Sequence, residues 1–307
     1  TLTLVCTGIL FDMDGTLVDS ITAVEAAWSS VAEELGMPAD EVIAATHGRR
    51  AIDNLKDLKP KLRRLTNEQM DEHVQEFEKR ILKEADEFNN RVRVRRDSES
   101  SSRRGSNQSS RRPSRRGSSG SGPNPLLTGL AGGQFGMSKL RKLGTFKTNR
   151  SETHGFSLTQ TPFTSCRNAS IRILPGVRRL IDSLPTGRFA VATSSAKTYA
   201  HGALARAGIK RPKVTVTADD PRLERGKPFP DPFLLAAKDL GIPIEKCLVF
   251  EDSPSGIKAG VVSGARTIAI CTSHPVEKIN SQGAHYIVPS LDCVFARRNK
   301  DGSIHIS

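Results

Sequence analysis

Residues 6–16 read CTGILFDMDGT, and the fold follows from how that stretch ends. Its short apolar run, Gly8 to Phe11, suits a strand buried in a parallel sheet. The run stops on Asp12 and Asp14, with Gly15 and Thr16 behind them. Two residues apart on an extended backbone, the two carboxylates point to the same side. A buried strand that ends this way predicts a functional loop at the carboxyl edge of a sheet.

Working outward, the pattern from Ser20 to Asn90 turns helical. AVEAAWSSVAEELG carries an apolar stripe (Val24, Ala27, Trp28, Val31, Leu35) stopped by Gly36. DEVIAATHG and RRAIDNLKDL follow, then a long amphipathic stretch, TNEQMDEHVQEFEKRILKEADEF, opened by a Thr/Asn cap. From residue 168 strands and helices alternate: helix PGVRRLIDSL, strand RFAVATSS, helix YAHGALARAG, strand KVTVTADD, helix DPFLLAAKDLG, strand CLVFEDS, helix PSGIKAGVVSG, strand RTIAICT and a last strand in AHYIVPS. This rhythm predicts an α/β fold with a doubly wound parallel sheet. The predicted division is core 1–18, helical cap 19–90, insertion 91–167 and core 168–307.

The insertion holds 16 of the chain's 46 Lys and Arg but only 3 of its 33 Asp and Glu. The remaining 30 basic and 30 acidic residues balance, so the net charge of +13 belongs to this segment alone and does not argue that the folded part binds nucleic acid. SRRGSNQSSRRPSRRGSSGSG, residues 102–122, has too little to bury to offset its ordering entropy, and is expected to be unfolded. The five cysteines (Cys6, Cys166, Cys247, Cys271, Cys293) are odd in number and widely spaced. They suit reduced thiols of a cytoplasmic or nuclear protein. No apolar run approaches 18 residues, so no membrane span is expected. The N-terminus lacks the basic region of a signal peptide, although the missing initiator Met suggests a trimmed chain.

In a doubly wound sheet, ligands bind beyond the carboxyl ends of the strands. Four ends carry polar groups: Asp12 and Asp14; Thr193, Ser194 and Ser195; Lys227 in GKPFPDP, after KVTVTADD; and Glu251 and Asp252, with Ser253 and Gly256 where a helix begins. Converging carboxylates repel and call for a cation, and an all-oxygen set suits Mg²⁺. A lysine and hydroxyls beside them suit phosphate. A carboxylate so placed can attack phosphorus, while a second one two residues on protonates the leaving oxygen and then activates water.

Taken in order, FDMDGTLVDS, VATSS, GKPFPDP and VFEDSPSGIKAG resemble the four motifs of the haloacid dehalogenase-like superfamily of phosphohydrolases. The resemblance covers 1–90 and 168–307. It implies that Asp12 is the nucleophile and Asp14 the general acid/base, and that Thr193, Ser194 and Lys227 hold the phosphoryl group. It also implies that Asp12, the carbonyl of Asp14, and Asp252 bind Mg²⁺, with Glu251 in or beside that shell. The helical block matches the superfamily's cap, which excludes water and selects substrate. THGRR, residues 46–50, resembles an element of fungal glycerol-phosphate and 2-deoxyglucose-6-phosphate phosphatases, which makes His47 and Arg50 candidates for substrate recognition. The tail PSLDCVFARRNKDGSIHIS is similar to theirs. The expected activity is Mg²⁺-dependent hydrolysis of a small polyol or sugar phosphate monoester. A sugar phosphomutase of the β-phosphoglucomutase type carries the same motifs and is the alternative.

Plainer roles exist for some of these residues. Ser194 or Ser195 also suits a cap for the following helix, His47 and Arg50 a surface pair, and Trp28 the core of the cap. In the insertion, RRGS, RRPS and RRGS place arginines two and three positions before Ser106, Ser114 and Ser118. That spacing resembles the target of a basophilic kinase, and a phosphoserine-binding partner would follow from it. The competing reading is a tail that binds RNA or another polyanion electrostatically. A third is an inert loop, whose closure costs only about 0.6 kcal/mol per doubling of length.

Overall fold

The computed structural model describes residues 3–105, 141–142 and 171–307, with side chains for 3–87 and 171–307. The strands are β1 (Leu4–Cys6), β2 (Gly8–Phe11), β3 (Val18–Asp19), β4 (Arg141–Lys142), β5 (Arg172–Ile173), β6 (Phe189–Ala192), β7 (Thr215–Val216), β8 (Cys247–Glu251), β9 (Arg266–Ile270), β10 (Tyr286–Val288), β11 (Ala296–Arg298) and β12 (Ile304–Ile306). The helices are α1 (Ile21–Leu35), α2 (Ala39–Thr46), α3 (Ala51–Leu58), α4 (Asn67–Gly105), α5 (Val177–Ser183), α6 (Lys197–Arg206), α7 (Asp231–Leu240), α8 (Pro254–Val262) and α9 (Val276–Asn280).

Among the described residues, seven strands form the main sheet in the order β4-β10-β9-β8-β2-β6-β7, parallel except for β4. The chain runs outward from β2 through β6 to β7, then restarts at β8 on the other side of β2. That reversal is the topological switch point of a doubly wound sheet, where a ligand crevice opens. Here it brings the end of β2 beside the end of β8, with Leu10 opposite Val249 and Phe11 opposite Phe250. β2 is buried on both faces, which explains its uninterrupted apolar run. Its residues alternate: Ile9 and Phe11 join one core cluster with α6, while Leu10 joins another with α7. The Phe11 and Phe250 rings stack at 5.3 Å.

The chain leaves the core through β3 and returns through β5, and these two strands pair antiparallel as a neck. Beyond the neck lie α1 to α4. The expected stripe of α1 is buried or packed against the core, with Trp28 and Phe77 at 4.0 Å, and α1 ends on Gly36 at φ +65°. α4 opens with a capping box: the Gln69 amide donates to Thr66 Oγ1 (3.3 Å) and the Thr66 amide to Gln69 Oε1 (2.9 Å). The helix runs on to Gly105, so residues 91–105, placed by composition in the unfolded insertion, are helical in backbone. Helix propagation costs far less than nucleation, which permits such an extension. Of the described residues, 3–89, 141–142 and 171–307 belong to one compact unit and 90–105 to another. Ser106, Ser114, Ser118 and Cys166 lie outside the described residues. Cys6, Cys247 and Cys271 are free thiols.

Two features went beyond the sequence reading. β1, β11 and β12 form an antiparallel sheet from the two ends of the chain. Of KVTVTADD, only Thr215–Val216 pairs in the main sheet. No helix among the described residues is long and apolar enough to cross a membrane.

Candidate active site

Asp12 follows β2 directly, its amide donating to the Phe250 carbonyl of β8 at 3.0 Å. Lys227 reaches the same point from the GKP loop and is almost wholly buried. Its Nζ donates to Asp12 Oδ1 at 2.5 Å and to Glu251 Oε1 at 2.8 Å. Glu251 Oε2 accepts the amides of Asp252 and Ser253, both at 2.8 Å, and the Ser253 hydroxyl at 3.1 Å. Glu251 thus fixes both the lysine and the loop that opens α8. A Cβ on Gly256 would lie 1.5 Å from Glu251 Oε1, so the glycine of the PSGIKAG motif is there to admit this carboxylate. Asp252 accepts Thr16 Oγ1 at 2.8 Å and the Ser273 hydroxyl.

Burial pushes the Asp12 carboxyl upward, and the Lys227 ammonium works against that shift. Burial also opposes the charge of Lys227, but Asp12 and Glu251 outweigh it and hold the lysine above its usual range. Asp252 is raised by burial and by the neighbouring Glu251 and Asp12 carboxylates. Oxygens of Asp12, Glu251 and Asp252 lie within 4.8 Å of one another, all three residues buried. Three carboxylates around one lysine leave an excess of negative charge, and this hard oxygen donor set fits a divalent cation such as Mg²⁺.

Asp14 sits in a different environment. Ser20 Oγ and Tyr199 OH donate to its Oδ1 at 2.6 and 2.8 Å, and Ser195 Oγ donates to its Oδ2 at 2.9 Å. Burial raises its pKa against the pull of these hydroxyls. Two carboxylates two residues apart are therefore handled differently, one by an ammonium and the other by three neutral hydroxyls. Ser195 is accordingly not a helix cap: the N-cap of α6 is Ala196, with no side-chain cap bond.

Nor does Ser194 cap α6. Its hydroxyl donates to the Gly48 carbonyl at 2.9 Å, and the Ser255 hydroxyl donates to the same oxygen at 2.9 Å. Gly48 lies between α2 and α3, so two core serines hold the cap loop by one carbonyl. His47 beside it packs on His274 of the core, ring centroids 4.4 Å apart. Burial lowers the pKa of both imidazoles, that of His274 to about 4.

Asp12, Asp14, Thr193, Ser194, Ser195, Ser253 and His47 line one cavity, with about 70 Å³ of space for water centres. One water needs roughly 10–15 Å³, so the space suits a small ligand. Its far wall is cap: Trp28, Ile43, Phe77 and Ile81 are apolar, while Arg49 and Glu78 are polar. Arg50 does not line it. Arg50 forks Asp53 at 2.8 and 3.1 Å, and its aliphatic stem covers Gly226 next to Lys227. Arg49 is the arginine of the pair that faces the cavity, held to Asp57 at 2.8 Å.

The sequence reading missed Tyr199, Ser20 as a partner of Asp14, Ser255 and Glu78. Glu78 left a signal: with Val74, Ile81 and Ala85 it forms an i, i+4, i+7, i+11 series in which it alone is polar. Tyr199 left none, because a tyrosine on a helix face reads as core.

Two family models, each described as haloacid dehalogenase-like hydrolase, match residues 9–93 and 138–264. Among curated relatives, hexitol phosphatase A of Escherichia coli is 26% identical over 98% of this chain and 99% of its own. Glycerol-1-phosphate phosphohydrolase 2 of Saccharomyces cerevisiae is 35% identical over 39% of this chain and 52% of its own. 2-Deoxyglucose-6-phosphate phosphatase 1 of the same yeast is 23% identical over 97% of this chain and 93% of its own.

Proposed function

Since this chain belongs to the haloacid dehalogenase-like hydrolases, we propose that it is a phosphatase for a small polyol or sugar phosphate monoester, acting through an aspartyl phosphate on Asp12. The observation that carries this reading is the contrast between Asp12, against Lys227, and Asp14, among three hydroxyls. A carboxylate paired with an ammonium and one held only by neutral hydroxyls suit a nucleophile and a general acid respectively.

Asp12 attacks phosphorus with a carboxylate oxygen, and the ester P–O bond breaks as Asp14 gives its proton to the leaving alkoxide. Asp14, now a base, takes a proton from water, and that oxygen displaces the Asp12 carboxylate from phosphorus. Inorganic phosphate leaves, Asp12 is again free and Asp14 again protonated. Lys227 and the Thr193 hydroxyl are the groups for the phosphoryl oxygens, while the Ser194 hydroxyl is committed to the Gly48 carbonyl. Asp12 and Asp252, with the Asp14 carbonyl, would hold Mg²⁺, while Glu251 orders Lys227 and the α8 loop beside it. A bound Mg²⁺ supplies positive charge to the phosphoryl oxygens and to Asp12. The cavity supports the substrate class: it is small, closed by apolar cap residues and supplied with His47 and Arg49 as polar partners for hydroxyls. The names of the relatives point the same way.

The test is phosphate release by the purified chain from hexitol phosphates, glycerol phosphates, 2-deoxyglucose-6-phosphate and β-glucose-1-phosphate, with and without Mg²⁺. Release that needs Mg²⁺ and is abolished in Asp12→Asn is the expected result. No release from any ester overturns the reading, and interconversion of glucose phosphates without release replaces it with a mutase.

A further inference from the structure

The amides at the N-terminus of α6 need an acceptor that its own sequence does not supply, because the N-cap residue is Ala196. The Lys197 amide finds Asp219 Oδ1 of the core at 2.9 Å, and the acceptor for two others comes from the cap. Glu78, on α4, takes the Ala196 amide on Oε1 at 2.5 Å and the Tyr199 amide on Oε2 at 3.3 Å. It is buried and lines the catalytic cavity. Val74, Phe77 and Ile81 on the same helix are buried in the cap core, and they set its position.

The two amides that Glu78 holds belong to the segment that clamps Asp14. Ala196 follows Ser195, whose hydroxyl holds Asp14 Oδ2, and Tyr199 itself holds Oδ1 through its phenol. A buried carboxyl that only needed a partner would find a lysine or arginine at lower cost; here it is set against backbone amides, and burial raises its pKa to about 8.

We propose that Glu78 is a positioning residue through which the cap, when seated, sets the Asp14 carboxyl for proton donation to the leaving group. The path runs from α4 to the first turn of α6, and from there through Ser195 and Tyr199 to the two oxygens of Asp14. With the cap lifted, the Ala196 and Tyr199 amides lose their acceptor and the clamp on Asp14 loosens, so proton transfer is restricted to the closed site. This deepens the phosphatase reading above and rests on it.

Leaving-group dependence separates this role from a structural one. An alkoxide must be protonated as it leaves, whereas acetate from acetyl phosphate needs no proton. The full chain with Mg²⁺ is assayed on the alkyl monoester that it turns over best and on acetyl phosphate. Glu78→Gln keeps the side chain's shape but turns an N–H toward a helix amide. It is expected to lower kcat/KM for the alkyl ester by about 10–100-fold, part of the 10²–10⁴ that a general acid supplies. KM for the alkyl ester and kcat/KM for acetyl phosphate should each stay within about 3-fold, the latter because kcat/KM reports formation of the aspartyl phosphate, before Asp14 acts as the base for water. Tyr199→Phe should give the same pattern, and the double variant should be no worse than about 3-fold below Glu78→Gln, since both act through one path. Equal losses on the two esters, no loss on the alkyl ester, or multiplying losses in the double variant overturn the proposal while leaving the phosphatase standing. A wild-type chain that hydrolyses neither ester overturns the phosphatase reading and this one with it.

Discussion

Replacing Gly48 by alanine separates two things that this glycine does. Its φ of +71° is a left-handed conformation that costs an L-residue about 1–2 kcal/mol. That strain is present whether the cap is seated or lifted, so it lowers stability alone. The second effect belongs to the seated cap. A Cβ at Gly48 would lie 2.4 Å from Ser253 Oγ, 2.7 Å from Ser253 Cβ and 2.6 Å from Ser255 Oγ. Ser253 cannot turn aside cheaply, because its hydroxyl caps α8 and bonds Glu251. The loop must therefore back away, and the Gly48 carbonyl loses its bonds from Ser194 and Ser255. At about 0.5–1.5 kcal/mol each, the seated state loses about 1–3 kcal/mol, or roughly 5–150-fold in kcat/KM at 1.36 kcal/mol per tenfold. Gly36 is the matched control: also in the cap, at φ +65°, with nothing within 4 Å of the place a methyl would take. Urea unfolding should show Gly36→Ala destabilised by the strain alone, about 1–2 kcal/mol, and Gly48→Ala by at least as much, while only Gly48→Ala loses phosphate release. A Gly48→Ala variant with kcat/KM within about 3-fold of Gly36→Ala would refute the latch.

Other expectations follow from the buried charges. Lys227→Met leaves Asp12 and Glu251 facing each other without their cation; it should cost about 3–5 kcal/mol in urea unfolding and abolish phosphate release. A loss below about 1 kcal/mol would show that the two carboxylates find other partners. Glu78 has a folded-state pKa of about 8 against an ordinary 4.5, so the fold keeps a proton that the unfolded chain releases between those values. Its stabilising contribution is whole below pH 4.5 and is lost as pH rises through 8. Relative to Glu78→Gln, the wild type should therefore lose a few kcal/mol across that window, at about 1.4 kcal/mol per unit. Urea midpoints of both proteins at pH 5 and pH 8 measure this, and parallel midpoints would contradict it.

The short apolar run before Asp12 and Asp14, and the alternation of strands and helices after residue 168, were enough to establish the doubly wound sheet and the four strand ends that meet at its switch point. This worked because a parallel sheet buries strands on both faces and places polar residues at their carboxyl ends, so local pattern and site location are coupled along the chain. The cap was legible for a similar reason, since Gly36 and the Thr66–Gln69 box are local signals. What the sequence left open depends on contacts across long separations. Of the described acids along α4, Glu78 is the one that meets the N-terminus of α6, and nothing in its neighbours says that Ala196 lies there. Arg49 and Arg50 are adjacent and chemically alike, and the turn from α2 into α3 decides which one faces the cavity. Ser194 and Ser195 read as phosphate partners or, as well, helix caps; the seated cap gave Ser194 to Gly48, and the turn after β2 gave Ser195 to Asp14. Hydroxyls and carboxylates bond whatever donor or acceptor the fold brings within about 3 Å, and only tertiary packing sets those distances.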